Sequence, residues 1–267
     1  MRMIAPMLVL ALLSACATTP SGDRRLILVS PQQMSQMGAA TFQQMKSQQT
    51  VTSNSRQVDY VECVSYAIIN ALPDEWRQMP WEVVVFEDDS ANAFALPGGK
   101  IGVHTGLLNV AQNQSQLATV IGHEIAHVLW RHGDQRVSAQ LLAQAGLQVA
   151  DMVSRQHVEG SRERQMLLAS LGLGAQVGVM LPFNRNHEKE ADRHGLHFMA
   201  RAGFDPTESI QLWQNMDAAS SGQRPPEFLS THPEPENRIL KLQKFMNKAL
   251  SYEAEAKAKG LNPQCGR

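Results

Sequence analysis

The sequence predicts a helix-rich α+β fold with a small β-sheet. The three observations that support this prediction are the helical spacing of apolar residues, one β-rich stretch, and the length of the chain. Most of the chain carries apolar residues at helical spacing, whereas the stretch between Trp81 and His104 is rich in β-branched residues and glycine. No internal repeat interrupts this order. With 267 residues, of which 43% are hydrophobic, the chain is long enough to bury a sizeable core. We therefore expect one globular domain, or at most two small ones.

The charge balance argues against one class of partner. The formal net charge is −1, and no long run of Lys or Arg occurs. A nucleic-acid-binding protein normally presents a strongly basic surface. We therefore expect no nucleic-acid partner.

The N-terminus is typical of a bacterial export signal. Arg2 gives it a positive start, and Ile4 to Leu13 form an apolar stretch too short to cross a bilayer comfortably. The residues that end at Cys16 read Leu-Ser-Ala-Cys and resemble a bacterial lipobox, in which the cysteine thiol is acylated and the chain is cut just before it. The alternative is an ordinary secretory signal with an incidental cysteine. We predict a lipoprotein signal peptide over residues 1–15.

Residues 16–29 follow as a predicted lipidated cysteine and tether, because their composition is typical of a flexible linker. Acylation of Cys16 would give stable anchoring only through several acyl chains together. Position 17 is Ala17 rather than Asp, and by resemblance to bacterial lipoprotein sorting this favours the outer membrane over the inner one. The folded domain is then expected over residues 30–267.

Two further cysteines suggest a disulfide. Without residues 1–15, and with Cys16 modified, Cys63 and Cys265 are the two remaining thiols. An even pair in an oxidising compartment favours a bridge. Because the loop it closes is so long, the chain-entropy model gives it on the order of 4 kcal/mol. The bridge would hold the C-terminal tail against the N-terminal region, provided that the two Cα atoms come close enough.

The small sheet is predicted from three short runs. The run Val83–Phe86 is β-branched, and Ala93–Leu96 is separated from Lys100–Val103 by a Pro-Gly-Gly turn typical of a hairpin. A sheet this small has exposed edges, and an edge at Phe94–Leu96 or at Ile101–Val103 could accept an extended peptide by strand addition.

The predicted helices follow from apolar spacing and end signals. The most informative one begins at Asn113, whose side chain can cap backbone N–H groups with Gln116 three residues later, and it should end at Gly133. The stretch 165–183 is nearly uncharged and about as long as a membrane span, and we favour a helical hairpin packed over the body against an inserted segment. The other predicted helices are the one that begins after Ser30 and those over 58–70, 186–202, 206–218 and 236–259.

The helix after Asn113 contains a metal-binding pattern. Residues 123–127 read His-Glu-Ile-Ala-His, and on a helix this spacing stacks the two imidazoles ~5–6 Å apart at Cβ, which suits two ligands of one zinc ion. Glu124 points to a neighbouring face, where it can reach a zinc-bound water without ligating the metal. The alternative is an ordinary polar helix face. However, the helix is otherwise strongly apolar, so burying His123, Glu124 and His127 without a compensating partner would be costly.

A catalytic zinc ion also needs a third protein ligand and one open position. Glu188 and Asp192 are four positions apart and share one face of a predicted helix. One carboxylate can bind zinc while the other reaches the far nitrogen of a ligating imidazole and fixes its tautomer. The spacing alone leaves open which carboxylate does which.

These motifs together resemble the gluzincin metalloprotease family, which includes the CaaX prenyl protease and HtpX. The order of the motifs is most similar to that in the periplasmic lipoprotein proteases of this family, such as BepA and LoiP. The resemblance covers most of the mature chain and is highly specific because several motifs occur together. The segments that carry it are Asn92–Gly99, the His-Glu-Ile-Ala-His helix, Glu188–Asp192, Ala202–Pro206 and Ser230–Pro233.

The resemblance implies a zincin-like (minigluzincin) fold, one Zn²⁺ per chain and polypeptide substrates. It also implies that Glu188 is the third zinc ligand, that Asp192 supports a ligand, and that Glu190 is a spare carboxylate. Family members place a histidine of the Pro-rich loop near the metal, which corresponds to His232. This imidazole could stabilise the oxyanion of the intermediate, or it could occupy the open zinc position and hold the enzyme latent, which we favour. The histidines left outside the predicted site are His104, His132, His157, His187, His194 and His197.

The sequence therefore predicts a lipid-anchored zinc endopeptidase on the periplasmic side of the bacterial outer membrane. Its expected substrates are unfolded or misassembled outer-membrane and periplasmic proteins. One alternative is a chaperone or assembly factor for outer-membrane proteins with latent protease activity. Another is a zinc-stabilised structural domain, but the intact Glu124 argues against it, because a structural site has no use for a base beside an open ligand position.

Overall fold

The computed structural model of the chain describes residues 16–18, 20, 22, 24–157, 185–220, 226–232 and 237–266. The chain divides into two compact units, the smaller formed by Met1–Pro31 and Arg131–Pro182, the larger by Gln32–Trp130 and Phe183–Arg267. The predicted signal peptide and the predicted hairpin over 165–183 lie outside the described residues. The predicted helix-rich α+β class with a small sheet is confirmed.

The elements follow the predicted order closely. The strands are β1 (Cys16–Thr18), β2 (Arg24–Leu26), β3 (Glu82–Phe86), β4 (Ala93–Leu96) and β5 (Lys100–His104). The helices are α1 (Pro31–Gln48), α2 (Ser55–Asn70), α3 (Asp74–Arg77), α4 (Leu107–Val110), α5 (Gln114–Leu129), α6 (His132–His157), α7 (Arg185–Arg201), α8 (Glu208–Ser220), α9 (Glu227–Thr231) and α10 (Arg238–Ala258).

The smaller unit contains β1, β2 and α6. β1 and β2 pair antiparallel, with Cys16 opposite Leu26, and the backbone N–H of Leu28 donates to Ser138 Oγ at 2.9 Å. The interpretation of residues 16–29 as a tether did not include this strand pair, because two strands of three residues leave too little alternation to be seen in a sequence. Among the described helices, none is both long and apolar enough to cross a membrane.

The larger unit contains a three-stranded sheet with the order β3-β5-β4. β5 is parallel to β3 and antiparallel to β4, so both of its edges are paired. The expectation that Ile101–Val103 could form a free edge is therefore wrong. The outer edge of β3 is also occupied, because the N–H of Thr52 donates to the carbonyl of Val85 at 2.9 Å. The available edge of the sheet is therefore the outer edge of β4.

The hairpin between β4 and β5 turns at the predicted glycines. Gly98 has φ 85° and Gly99 has φ 76°, a left-handed conformation that favours glycine. A Cβ at Gly98 would also lie 2.5 Å from Ser35 Oγ of α1. The turn is thus fixed by both conformation and close packing.

Helix α5 lies at the centre of the larger unit and is buried along nearly its whole length. It begins as predicted, with Asn113 Oδ1 accepting from Gln116 N at 2.9 Å. Its end differs from the prediction, since α5 stops at Leu129 and Gly133 lies inside α6. The left-handed residue at this turn is Arg131, with φ 56°, and its guanidinium donates to Asp134 at 2.6 Å. A side-chain contact therefore stabilises a conformation for which glycine was expected.

The C-terminal tail is tied to the larger unit by a disulfide between Cys63 of α2 and Cys265, with the Cα atoms 5.7 Å apart. This is the cysteine pair that the sequence offered for a bridge. The Gln114 side chain at the start of α5 binds the same tail twice. It donates to Pro263 O at 2.9 Å and accepts from Cys265 N at 2.8 Å. The tail therefore contacts both α2 and the first turn of α5.

Candidate active site

Two helices cross closely at the centre of the larger unit, and the crossing is made by glycines. A Cβ at Gly122 of α5 would lie 2.7 Å from Gly195 O, and one at Gly195 of α7 would lie 2.6 Å from His123 N. Real Cβ atoms do not approach backbone atoms this closely. The lack of side chains at both positions brings the polar residues of α5 and α7 within reach of one another.

Four buried side chains meet beside this crossing. His123, His127, Glu188 and His232 each offer one ligand atom, and these atoms all lie within 4.8 Å of one another. The Nε2 atoms of His123 and His127 are 2.9 Å apart. The two oxygens of Glu188 each lie 3.4 Å from one of these nitrogens. The structure thus brings together the three residues predicted as zinc ligands, with His232 as a fourth.

Asp192 determines which nitrogen of His123 carries the proton. Its Oδ1 lies 3.0 Å from His123 Nδ1, on the side of the ring away from the cluster. A carboxylate accepts hydrogen bonds, so Nδ1 carries a proton, and Nε2 is the nitrogen that a metal ion in the cluster would use. Asp192 therefore lies where a carboxylate that orients a zinc-binding imidazole should lie.

A metal ion fits the chemistry of these residues. The site combines imidazole nitrogens and a carboxylate, which is the donor set of many catalytic zinc sites. Glu188 is 0% exposed, and within the described part of the chain its Oε1 has no hydrogen-bond donor. Its Oε2 is paired with the guanidinium of Arg238, which also binds Asp192, so two buried carboxylates share one positive charge. A divalent cation between His123, His127 and Glu188 would supply the second positive charge, on the side of Oε1.

Glu124 lies beside this cluster on the next face of α5, and it is 3% exposed. Its Oε2 accepts the backbone N–H of Ala95 in β4 at 3.1 Å, and its Oε1 lies 3.3 Å from His232 Nε2. Burial raises the pKa of Glu124 to about 8. A cation bound nearby would lower it, since positive charge favours the carboxylate form. Glu124 is therefore a carboxyl group whose proton affinity can change near neutral pH.

His232 follows α9 directly and reaches the cluster from a third part of the chain. Its ring stacks on Phe228 with the centroids 4.4 Å apart. Burial lowers the pKa of His232 to about 3, so its imidazole is neutral and can act as a ligand. The backbone N–H of Phe228 donates to Ala91 O at 3.2 Å, which attaches this segment to the residues that precede β4.

Arg238 is the site residue whose role the sequence did not predict. It is 0% exposed, and it donates from Nε to Asp192 at 2.7 Å and from Nη2 to Glu188 at 2.9 Å. In the sequence it lies at the start of the helix predicted over 236–259. No local pattern singled it out, because the same helix also carries other charged residues such as Lys241 and Lys244.

The remaining polar residues lie outside the cluster of four. The ring of His194 stacks on Trp130 with the centroids 3.8 Å apart, and the ring of His197 lies against Tyr252 at 5.3 Å. His104 Nδ1 lies 2.8 Å from Ser90 Oγ. Glu190 is not part of the cluster either. These placements agree with packing roles for the three histidines.

A model of peptidase family M48 matches residues 55–246, which is more than half of the chain. The chain belongs to peptidase family M48. Among curated proteins, it is similar to the mitochondrial metalloendopeptidase OMA1 of Schizosaccharomyces pombe, with 35% identity over 179 residues that cover 64% of this chain and 48% of that protein. The family model and the name of this relative both describe peptidases.

Two bacterial relatives carry a different name. The chain is 30% identical over 217 residues to the beta-barrel assembly-enhancing protease of Escherichia coli K12, covering 76% of this chain and 42% of that protein. It is also 30% identical over 203 residues to the putative beta-barrel assembly-enhancing protease of Vibrio cholerae, with 76% and 42% covered. The chain spans about half the length of the curated relatives it matches, so their further activities do not follow from the family alone.

Proposed function

We propose that this protein is a zinc-dependent endopeptidase in which His123, His127 and Glu188 hold the metal and Glu124 is the general base. The observation that carries this proposal is the buried convergence of the three ligand side chains beside Glu124, with Asp192 fixing the tautomer of His123. Two histidines and a glutamate leave one coordination position open, as catalytic zinc sites require.

The chemistry divides between the metal and the chain. Zinc, when bound, supplies a water molecule acidified for attack and polarises the peptide carbonyl. Glu124 would accept a proton from the water that attacks the carbonyl carbon, hold it on its carboxylate, and deliver it to the leaving amine nitrogen as the C–N bond breaks. The N–H of Ala95 holds Glu124 Oε2, which leaves Oε1 on the side of the cluster.

The edge of β4 supports an extended polypeptide as substrate. In an antiparallel pair, every second residue of a strand directs its N–H and C=O groups to the neighbouring strand. Asn92 is such a residue, because its carbonyl accepts from His104 N. The N–H and C=O groups of Ala93 and Ala95 therefore face away from β5. The N–H of Ala95 already points to Glu124. A peptide that adds to this edge would therefore lie beside the proposed base. Strand addition requires an unfolded segment, which favours unfolded or misassembled proteins as substrates.

His232 supports a latent resting state. Its Nε2 lies among the ligand atoms of the other three residues, so it could occupy the open position of the metal. Its segment is also hydrogen-bonded to Ala91, next to the edge strand. A substrate that enters along β4 would therefore meet the segment that carries His232, and we propose that this displaces the imidazole. Stabilisation of the oxyanion by His232 is the alternative role.

The proposed location is the periplasmic side of the bacterial outer membrane, with a lipid anchor at Cys16. The lipobox-like residues before Cys16 and the disulfide of Cys63 with Cys265 support an oxidising envelope compartment. One similar protein is named mitochondrial, so family membership alone does not give this location. The names of the bacterial relatives also favour a second candidate function, assistance in outer-membrane protein assembly with latent proteolysis.

The test of the proposed endopeptidase compares wild type with Glu124→Gln on casein or another unfolded protein, with bound zinc measured in both. We expect the variant to keep its metal and to lose at least about two orders of magnitude in turnover, because it lacks the general base. Glu190→Gln, a change of the same type outside the cluster, is the matched control. Equal proteolysis by wild type and Glu124→Gln would exclude this role and favour the assembly function.

A further inference from the structure

Arg238 is a fully buried cation at the back of the proposed metal site. It begins α10 and reaches α7, where its Nε contacts Asp192 Oδ2 at 2.7 Å and its Nη2 contacts Glu188 Oε2 at 2.9 Å. One of these carboxylates is the proposed metal ligand, and the other holds the imidazole of His123. A single planar guanidinium group thus binds two carboxylates that act on the same metal.

The charge of Arg238 compensates the two buried carboxylates, but it does not favour a metal ion bound beside them. A cation beside a site for a second cation repels it, and the repulsion is strong in a buried environment. If charge were all that mattered, Arg238 would weaken metal binding. Its geometric effect must therefore be the favourable one, because the fork of N–H donors fixes both carboxylates at once.

A second contact fixes the guanidinium plane. Its central carbon lies 3.9 Å from the ring centroid of Trp213 in α8, and Trp213 is 2% exposed. Stacking on an indole ring is favourable for a guanidinium group and restricts its rotation. Arg238 is therefore held from one side by Trp213 and binds the two carboxylates of α7 from another.

We propose that Arg238 is a positioning residue that sets the geometry of the zinc site through Glu188 and Asp192. It touches neither the substrate nor the metal. Without it, Glu188 and Asp192, two like charges one helical turn apart, would repel each other and adopt other rotamers. This inference rests on the proposed zinc site and assigns one more residue to it.

The test measures zinc affinity of metal-free protein by competition with a chromogenic chelator, for wild type, Arg238→Met and Arg238→Lys. We expect both variants to bind zinc about ten- to hundredfold more weakly, since loss of a residue that orients ligands typically has this effect. Arg201→Met is the matched control, because Arg201 also stacks on an aromatic ring, at 4.2 Å from the centroid of Tyr252, but lies outside the site. The visible spectrum of the cobalt-substituted proteins should change in the Arg238 variants alone.

The outcomes separate this inference from the proposed function. Zinc affinity of Arg238→Met equal to or tighter than that of wild type would show that the residue acts by charge or not at all. If Arg238→Met does not fold, folded Arg238→Lys with wild-type affinity and an unchanged cobalt spectrum would overturn the proposal equally. Wild type that binds no stoichiometric zinc would overturn the proposed function, and the inference with it.

Discussion

Single residues on α7 have distinct roles although they lie within one helical turn. Glu188 is 0% exposed and faces the two imidazoles of α5, whereas Asp192 contacts the far nitrogen of His123. Glu190 lies between them in sequence and outside the cluster. The helical period places Glu188 and Asp192 on one face of α7 and Glu190 on another.

This separation gives a first prediction. Glu188→Ala should lose bound zinc, because it removes a ligand, and Asp192→Asn should weaken binding roughly ten- to hundredfold, because the amide no longer holds the Nδ1 proton of His123 as firmly. Glu190→Ala should do neither and serves as the control. Zinc content and chelator competition measure all three. Zinc loss confined to the Glu190 variant would show that the ligand is wrongly assigned.

A second residue-scale prediction concerns His232. If its imidazole closes the open zinc position, His232→Ala should raise basal proteolysis of an unstructured substrate, with self-cleavage as a possible product. If it stabilises the oxyanion instead, turnover should fall by roughly 10²–10³ at unchanged zinc content. His194→Ala, which alters a ring stacked on Trp130, controls for loss of packing. Reduced activity at full zinc occupancy would rule out the gating role.

At the scale of elements, the close crossing of α5 and α7 is the feature most open to test. In Gly195→Ala the new Cβ would lie 2.6 Å from His123 N and 2.8 Å from Gly122 C, and backbone atoms of a packed helix cannot move aside. We expect a loss of about 1–3 kcal/mol in the free energy of unfolding, and weaker zinc binding, because the ligand helices are forced apart.

The matched control for this variant is Gly146→Ala in α6. Apart from its own helix backbone and chain neighbours, no heavy atom of the described residues lies within 4 Å of a Cβ at Gly146, so the change should leave zinc binding unaltered. It should raise stability slightly, by up to about 1 kcal/mol, because alanine favours a helix interior. Thermal unfolding and zinc content measure both variants. Equal behaviour of Gly195→Ala and Gly146→Ala would contradict the role given to the crossing.

The elements also show how far the sequence could predict the structure. The cap at Asn113, the turn at Gly98 and the shared face of His123 and His127 on α5 follow from neighbours a few residues apart, and the structure has them where the sequence indicated. The central position of β5 depends on which strands meet, which local patterns do not determine. Arg238 is 46 residues from Asp192 in sequence, so their contact had no local signal either.

At the scale of the whole molecule, the disulfide ties distant parts of the larger unit together. Cys63 and Cys265 are separated by 202 residues, so the bridge restricts a very large loop in the unfolded chain. Replacing both with serine should lower the free energy of unfolding by about 2–5 kcal/mol, as loss of a native disulfide does. Serine at both positions avoids a free thiol.

Thermal unfolding with and without a reductant checks this prediction. Reductant should lower the unfolding temperature of wild type to that of the double variant and should leave the variant unchanged. Equal unfolding temperatures for oxidised wild type and the double serine variant would show that the bridge contributes nothing measurable. Zinc saturation must be kept constant, since a bound ion also raises the unfolding temperature.

The long loop closed by this disulfide has a consequence for the order of events during synthesis. A ribosome delivers Cys63 early and must add 202 more positions before its partner exists. By then His123, Glu188 and Arg238 have all been synthesised, so every residue of the proposed metal site precedes the bridge in time. A chain that stopped before Cys265 would lack both the covalent tie and the contacts of Cys265 and its neighbours with Gln114. The bridge can therefore form only after synthesis has passed Cys265.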